Sequence, residues 1–128
     1  MRLPPNCWSR AWEKLASGAR VLAGGNREGA LLEPTIIADV PRDAEMVVQE
    51  SFGPLAPIMP VKDLDDAIEL ANGTAFGLSS GVVTRNMDSA IAAVKRIRTG
   101  SVNINAVLGY RIESSPFEGV KDSDLGIR

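Results

Sequence analysis

The sequence predicts an α/β domain with a parallel sheet, built in the order strand, helix, strand, helix, strand. Three short apolar runs, "APIMPVK", "SSGVVT" and "SVNIN", alternate with two amphipathic stretches between residues 56 and 105. Connections of this kind cross over right-handedly and leave the strands parallel. We therefore expect a βαβαβ core, with binding groups in the loops beyond the carboxyl ends of its strands.

Two helices with defined starts give this prediction its strongest support. Asp63 and Asn86 precede the amphipathic stretches, where their side chains can accept hydrogen bonds from otherwise free amide groups. In each stretch, apolar residues recur at helical spacing and predict one buried face. The predicted buried residues are Leu64, Ala67, Ile68 and Ala71 in the first helix and Met87, Ala90, Ile91, Val94 and Ile97 in the second. The second helix should end at Gly100, because glycine is common just after helix C-termini.

The segments before and after this core are less regular. Residues 8–17 predict a short helix that ends at Gly18, and "ARVLAGG" predicts a strand closed by a turn. Pro34 favours the start or the edge of the next strand, because proline cannot donate a ladder hydrogen bond. Residues 43–49 can form one or two helical turns. After Asn105 no periodicity remains, and we expect a loop that packs on another part of the domain.

Composition excludes several classes of function. The 128 residues fit one domain, and their net charge of −2 leaves no basic surface suited to a nucleic acid backbone. No apolar run approaches the roughly 20 residues that cross a bilayer, and no signal peptide precedes the domain, so we expect a cytoplasmic protein without membrane contacts. Because the chain has no histidine, Ser-His-Asp and Cys-His catalysis and the usual zinc sites are excluded.

A few polar residues are candidates for a functional site. Glu50 stands in "ESFGP", where it is either a functional carboxylate or a charge at the end of a surface helix. Cys7 is interpreted as a structural or incidental cysteine, because a thiol needs a basic or positive neighbour to become a nucleophile. Asn103 and Asn105 end the third apolar run, where such side chains either bind a ligand or satisfy loop carbonyls. These residues alone establish no activity.

Several segments together resemble the C-terminal part of the catalytic domain of the NAD(P)-dependent aldehyde dehydrogenase superfamily. They are "GARVLAGG", "EPTIIADVP", "QESFGPLAPI", "DAIELANGTAFGLSSGVVTRNMDSAIAAVKRIRTGSVNIN" and "SPFEGVKDSDLG", in this order and at matching spacing. We therefore divide the chain into a poorly matched N-terminal helix, residues 1–17, and a catalytic-domain segment, residues 18–128. The stretch "GYRIESSPF" is most similar to members that act on small, often anionic aldehydes.

The resemblance implies roles for individual residues. In the family, the glutamate at the position of Glu50 hydrogen-bonds the ribose hydroxyls next to nicotinamide, and the aromatic at Phe52 packs against the nicotinamide ring. A carboxylate suits a vicinal diol, because its oxygens can accept hydrogen bonds from both hydroxyl groups. The loop of residues 107–113 lines the aldehyde entrance, where Arg111 either meets an anionic substrate or forms an exposed salt bridge. The implied entrance residues are Val107, Leu108, Arg111 and Phe117.

The other catalytic groups of the family have no match in this segment. The family reaction uses a cysteine thiolate to attack the aldehyde, an asparagine and a backbone amide to hold the oxyanion, NAD(P) to accept hydride and a glutamate to activate water. Those groups lie upstream of the matched segment, and Cys7 does not align with the nucleophile. We therefore expect no catalytic residue, bound cofactor or metal in these 128 residues, which should be inactive alone.

Two further expectations concern the tail and the partners. The family tail usually reads "PFGGxKxSGxG", whereas this chain has Glu118 and Asp124 at two of the glycine positions. If those positions need a positive φ, a glutamate there costs about 1 kcal/mol. Without the rest of its domain, the sheet should expose a face or an edge. We therefore expect a homo-oligomer, or association with a full-length dehydrogenase or an upstream partner chain.

Overall fold

The computed structural model describes residues 18–29, 31–51, 53–106, 114 and 118–123. The strands are β1 (Arg20–Ala23), β2 (Arg27–Glu28), β3 (Leu31–Leu32), β4 (Thr35–Ala38), β5 (Leu55–Ile58), β6 (Phe76–Gly77), β7 (Ser79–Val82), β8 (Ser101–Ile104) and β9 (Val120–Lys121). The helices are α1 (Glu45–Val48), α2 (Leu64–Asn72) and α3 (Met87–Arg96). The chain divides into two compact units, Met1–Pro60 and Val61–Arg128. The predicted helix over residues 8–17 lies outside the described residues.

The first unit is built on a three-stranded sheet with β4 in the centre. Strand β4 pairs with β1 in antiparallel fashion and with β5 in parallel, and the short strands β2 and β3 pair with each other. Ile37 in β4 is completely buried. Pro34 directly precedes β4, as the sequence predicts. The predicted helical segment forms the single turn of α1.

A buried threonine joins the turn after β1 to the start of β4. Thr35 is only 2% exposed, and its hydroxyl accepts a hydrogen bond from the Gly25 amide at 3.0 Å and donates one to the Glu33 carbonyl at 2.7 Å. Gly24 has a φ of +74°, and a Cβ atom there would lie 2.1 Å from the Pro34 carbonyl oxygen. The turn predicted from "LAGG" is therefore confirmed, and its close approach to β4 requires a glycine.

The second unit contains the predicted crossover. Strands β7 and β8 pair in parallel, and α3 connects them. Both predicted N-caps are confirmed, because Asp63 accepts from the Asp66 amide and Asn86 from the Ser89 amide. The tail contributes β9, which pairs with β6 in antiparallel fashion. The α/β class and the parallel pairing are therefore confirmed, and the tail packs on the second unit as expected.

Each of the two parallel strand pairs lies within one unit. Among the described residues, β5 pairs with β4 in the first unit, and β7 pairs with β8 in the second. The extended stretch after Pro34 supplies the parallel partner of β5. Periodicity identifies strands, but it does not say which strands are neighbours.

No helix in the described ranges is long and apolar enough to cross a membrane.

The predicted buried face of α3 is confirmed at Ala90 and wrong at three larger residues. Ala90 and Ala93 are buried, whereas Met87, Ile91 and Val94 are exposed. Two small side chains let the helix backbone approach its neighbours closely, so the buried face centres on the alanines. The larger side chains consequently lie on the adjacent face of the helix, towards solvent.

The end of α3 lies earlier than predicted, at Arg96 instead of near Gly100. The Asn72 side chain donates to the Arg96 carbonyl at 2.9 Å and accepts from the Arg98 amide at 2.7 Å. Both backbone groups are thereby withdrawn from a further helical turn, and Ile97 takes an extended conformation. A side chain from α2 therefore ends α3, which sequence periodicity does not reveal.

Removal of the Thr35 hydroxyl should destabilise the first unit. In Thr35→Val the Gly25 amide and the Glu33 carbonyl lose their partner inside the protein, so we expect the free energy of unfolding to fall by about 2 kcal/mol. The matched variant Thr35→Ser keeps the hydroxyl and should lose less than about 1 kcal/mol. Urea-induced unfolding followed by circular dichroism measures both, and equal losses would show that the hydroxyl contributes nothing.

Candidate functional site

Glu50 lies on a short connection that runs from α1 to β5. The Ser51 hydroxyl contacts the Met46 carbonyl of α1 at 3.5 Å, which holds the start of this connection. The Pro54 carbonyl accepts from the Thr35 amide at 2.8 Å, which ties its end to the start of β4. Gly53 forms a tight turn between these points, with its amide 3.1 Å from the Ser51 carbonyl. Glu50 is therefore held by a backbone that is anchored on both sides.

The Glu50 carboxylate has no partner among the described residues. Its side chain is exposed, and within the described ranges it takes part in no hydrogen bond or ion pair. Each carboxylate oxygen can accept a hydrogen bond from a hydroxyl group of a ligand.

The predicted partner of Glu50 at the cofactor and the predicted entrance residues lie outside the described part of the chain. Phe52 and the four predicted entrance residues lie outside the described residues, as do Cys7 and Asp124. The predicted entrance residues are Val107, Leu108, Arg111 and Phe117.

The two asparagines at the end of β8 have structural contacts. Asn105 accepts from the Thr84 amide and donates to the Thr84 carbonyl, both at 2.9 Å, and its φ is +52°. These bonds extend the contact between β7 and β8 by one residue pair. Asn103 donates to the Ser79 hydroxyl at 3.4 Å. Of the two alternatives open from the sequence, the structure favours the satisfaction of backbone groups for Asn105.

The loops at the carboxyl ends of β5 and β7 carry polar side chains that make structural contacts. After β5, the Asp66 side chain accepts from the Lys62 amide at 2.9 Å, which secures the start of α2. After β7, the polar side chain of Thr84 accepts from the Asn86 amide. Glu50, by contrast, precedes β5. The third loop expected from the sequence, residues 107–113 after β8, lies outside the described residues.

A lysine in the tail donates three hydrogen bonds to backbone carbonyls of the second unit. The Lys121 ammonium donates to the carbonyl oxygens of Asn72 and Thr74 at 3.0 Å each and to that of Phe76 at 3.3 Å. These carbonyls lie at the C-terminal end of α2 and just beyond it, where backbone carbonyls lack helical partners. A cation is favourable at this end of a helix. Lys121 also has a φ of +58°, so this geometry requires an uncommon backbone conformation.

Hydrogen bonds to backbone groups complete the attachment of residues 118–123, which we call the tail anchor. The Ser123 hydroxyl accepts a hydrogen bond from the Gly77 amide at 2.9 Å, and the Asp122 amide donates one to the Ala75 carbonyl at 3.0 Å. At Gly100, a Cβ atom would lie 1.5 Å from the Glu118 carbonyl oxygen, so only glycine fits. The sequence did not reveal this anchor, because a lone lysine in a stretch without periodicity gives no signal of its long-range partners.

The expected strain at Glu118 is not present. The positive-φ residues other than glycine in the described ranges are Asp39, Asn105 and Lys121. The backbone at position 118 therefore accepts a side chain such as glutamate, where the family usually has glycine. The corresponding question for Asp124 lies outside the described residues.

A shallow open groove of about 700 Å³ lies between α2 and α3. Its charged lining is mixed, and the Arg96 guanidinium lies 2.5 Å from the Asp65 carboxylate across the groove. The described residues include no group of three or more acidic, cysteine or histidine side chains that could hold a metal ion. The groove therefore presents a surface ion pair and not an arrangement of catalytic groups.

Comparison with known proteins identifies the family. The model of the aldehyde dehydrogenase family matches residues 7–128. Glutarate-semialdehyde dehydrogenase from Pseudomonas putida is 41% identical over 115 residues, covering 89% of this chain and 24% of the relative. Lactaldehyde dehydrogenase from Methanococcus maripaludis is 34% identical over 114 residues, with the same two coverages.

Solved structures agree with this result. Aldehyde dehydrogenase 21 from Physcomitrella patens, in complex with the reaction product succinate, superposes with a TM-score of 0.85 at 36% identity, covering 93% of this chain and 25% of that one. Glyceraldehyde-3-phosphate dehydrogenase from Methanocaldococcus jannaschii, complexed with NADP, gives a TM-score of 0.84 at 34% identity, covering 94% and 26%. The chain belongs to the aldehyde dehydrogenase family. It spans about a quarter of the length of the relatives it matches.

Replacement of the Lys121 ammonium should destabilise the second unit. Lys121→Met keeps an unbranched side chain but removes all three donated hydrogen bonds, so we expect the free energy of unfolding to fall by about 2–3 kcal/mol. Lys62→Met makes the same chemical change at an exposed lysine and should alter the free energy of unfolding by less than about 0.5 kcal/mol. Chemical denaturation of both variants measures the difference. Similar stability of the two variants would contradict a stabilising role for the anchor.

Proposed function

We propose that this chain supplies the nicotinamide-ribose contact and the aldehyde entrance of an NAD(P)-dependent aldehyde dehydrogenase, and that its 128 residues alone do not oxidise aldehydes. The observation that carries the proposal is the exposed Glu50 carboxylate, which has no partner among the described residues and lies on an anchored connection. Membership of the family supports the type of reaction.

The cofactor contact follows from the chemistry of Glu50. A ribose presents two neighbouring hydroxyl groups, and a carboxylate can accept a charge-assisted hydrogen bond from each. Such a contact fixes the position of the attached nicotinamide, while Phe52 is proposed to pack against its ring. When bound, NAD or NADP accepts the hydride that leaves the aldehyde. These 128 residues are proposed to hold no dinucleotide alone, because one carboxylate and one aromatic side chain contact only a small part of it.

The proposed substrates are small aldehydes, often with an anionic group. Relatives of this chain include glutarate-semialdehyde dehydrogenase and sulfoacetaldehyde dehydrogenase, whose names describe anionic aldehydes. Arg111 is proposed to contact the anionic group at the entrance, together with Val107, Leu108 and Phe117. A guanidinium suits this role, because it forms two parallel hydrogen bonds with a carboxylate or sulfonate.

Activity of the chain alone is the first test. Incubation of the purified 128 residues with NAD or NADP and a panel of small aldehydes should yield no reduced nucleotide, because the reaction needs a thiolate nucleophile and Cys7 is not proposed to supply one. Absorbance of the reduced nicotinamide measures the product. Formation of reduced nucleotide that is lost in Cys7→Ser would overturn this part of the proposal.

The role of Glu50 can be measured in a chimera. Residues 18–128 would replace the matching segment of the Pseudomonas putida relative, which is 41% identical. Glu50→Gln in this chimera should raise the KM and the Kd for the dinucleotide about tenfold to a hundredfold, because charge-assisted hydrogen bonds to ribose are lost.

A neighbouring glutamate provides the control in the same chimera. Glu45 begins α1, and its replacement in Glu45→Gln removes the same charge five residues earlier in the chain. That variant should leave dinucleotide binding within about twofold of the unchanged chimera. Equal effects at Glu45 and Glu50 would show that general charge, and not a ribose contact, explains the result.

Association with other chains is a separate part of the proposal. Exposed apolar residues on the β1–β4–β5 sheet, including Leu22, Ile36 and Ile58, support contact with a second copy or with a full-length dehydrogenase. A cytoplasmic location is likewise proposed from the sequence.

A further inference from the structure

An asparagine followed by a glycine stands at the C-terminal end of α2. Asn72 is the last residue of this helix and Gly73 follows it, and no other asparagine of the 128 residues precedes a glycine. In such a pair the glycine amide nitrogen can attack the side-chain carbonyl carbon of the asparagine, because glycine has no Cβ atom in the way and a flexible backbone. Asparagine is a thermolabile residue. The pair therefore carries the groups needed for deamidation.

The reaction consumes only water. The Gly73 nitrogen gives up its proton and bonds to the side-chain carbon of Asn72, and the side-chain nitrogen leaves with a proton as ammonia. Water then opens the resulting cyclic imide at either of its carbonyl groups. The products are an aspartate or an isoaspartate at position 72, and no oxidant or reductant takes part.

The folded second unit holds each of the reacting groups in a hydrogen bond. The Asn72 side chain donates to the Arg96 carbonyl at 2.9 Å and accepts from the Arg98 amide at 2.7 Å. The Gly73 amide donates to the Leu70 carbonyl at 3.1 Å. Attack requires the side chain to turn towards its own backbone and the Gly73 nitrogen to lose its proton. The three hydrogen bonds oppose both steps, so the folded structure keeps the pair unreactive.

Gly73 is a glycine that the fold does not require. Its φ is −72°, which any residue adopts, and a Cβ atom there would lie 3.3 Å from the Leu70 carbonyl oxygen. A small shift relieves that distance, whereas at Gly100 a Cβ atom would lie 1.5 Å from the Glu118 carbonyl oxygen. Alanine therefore fits at position 73. The absent side chain matters for reactivity there and not for packing.

We propose that Asn72 is a deamidation site, which the folded second unit protects and which becomes reactive when the end of α2 unfolds. The proposal does not depend on aldehyde chemistry. In an aspartate, an oxygen replaces the nitrogen that donates to the Arg96 carbonyl, so two acceptors face each other. The new negative charge also lies at the unfavourable end of a helix.

The second product is more disruptive than the first. An isoaspartate lengthens the backbone between the carbonyls of Asn72 and Thr74, both of which accept hydrogen bonds from Lys121. Neither product can therefore restore the original contacts at the end of α2. Each period in the unfolded state consequently converts a fraction of the chains into a form that refolds to a less stable structure.

Incubation of the whole chain at mildly alkaline pH, with and without guanidinium chloride, is the direct test. Peptide mapping by mass spectrometry measures the conversion of Asn72. Conversion should be at least about tenfold slower in the folded chain, because reaction then requires an opening of the structure. Gly73→Ala should slow conversion in guanidinium chloride at least about tenfold, because the added Cβ atom obstructs the attack. Equal rates in the folded and unfolded chains, or no effect of Gly73→Ala, would overturn the proposal.

A pair of lysine variants tests the link between the fold and the reaction. Lys121→Met removes the hydrogen bonds to carbonyls on both sides of Gly73 and should speed conversion in the folded chain at least about tenfold. Lys62→Met makes the same chemical change at an exposed lysine and should stay within about twofold of the original chain. In guanidinium chloride both variants should react at the original rate. Equal rates of the two folded variants would show that the end of α2 does not control the reaction.

An aspartate variant measures the effect of the modification itself. Asn72→Asp should raise the equilibrium constant for unfolding about tenfold to a hundredfold, measured by chemical denaturation. The matched variant Asn86→Asp adds the same charge at an N-cap, where aspartate accepts the Ser89 amide equally well. It should leave that constant within about threefold of the original. An Asn72→Asp chain as stable as Asn86→Asp would exclude a destabilising effect of deamidation.

Discussion

The three hydrogen bonds of the Lys121 ammonium are the interaction on which the arrangement of the second unit depends. They join the end of α2, the connection that follows it and β6 to a single side chain of the tail. Nearby, Asn72 uses its amide group to end α3. The same residue thus offers its carbonyl to the lysine and its side chain to the neighbouring helix. The C-terminal end of α2 is consequently the meeting point of both helices and the tail.

Glycines make this meeting point possible. A Cβ atom at Gly77 would lie 2.6 Å from the Arg98 carbonyl oxygen, and one at Gly100 would lie still closer to Glu118. The backbones in this region are therefore in direct contact, with no room for side chains between them. The first unit uses the same means at Gly24, where the turn after β1 approaches β4. Close contact between backbones therefore constrains the path of the described chain in both units.

The sequence predicts the elements of this fold better than their contacts. Helix starts depend on residues within one turn, so Asp63 and Asn86 identify them correctly. The end of α3 depends on Asn72, which lies in another helix and leaves no local pattern. The buried face of α3 was predicted from the helical spacing of apolar residues, but the close approach of Ala90 and Ala93 decides it. For the site, the local sequence alone leaves Glu50 ambiguous, and the family resemblance resolves its proposed role.

The tail anchor also has a consequence for the order in which the chain folds. Lys121 contacts carbonyls that precede it by 45 to 49 residues, so its hydrogen bonds close a long loop. Closing such a loop costs chain entropy that only the completed contacts repay. During synthesis, the end of α2 leaves the ribosome well before Lys121 does. The second unit therefore cannot reach its final structure until its last strand has emerged, and its folding should be completed late and cooperatively.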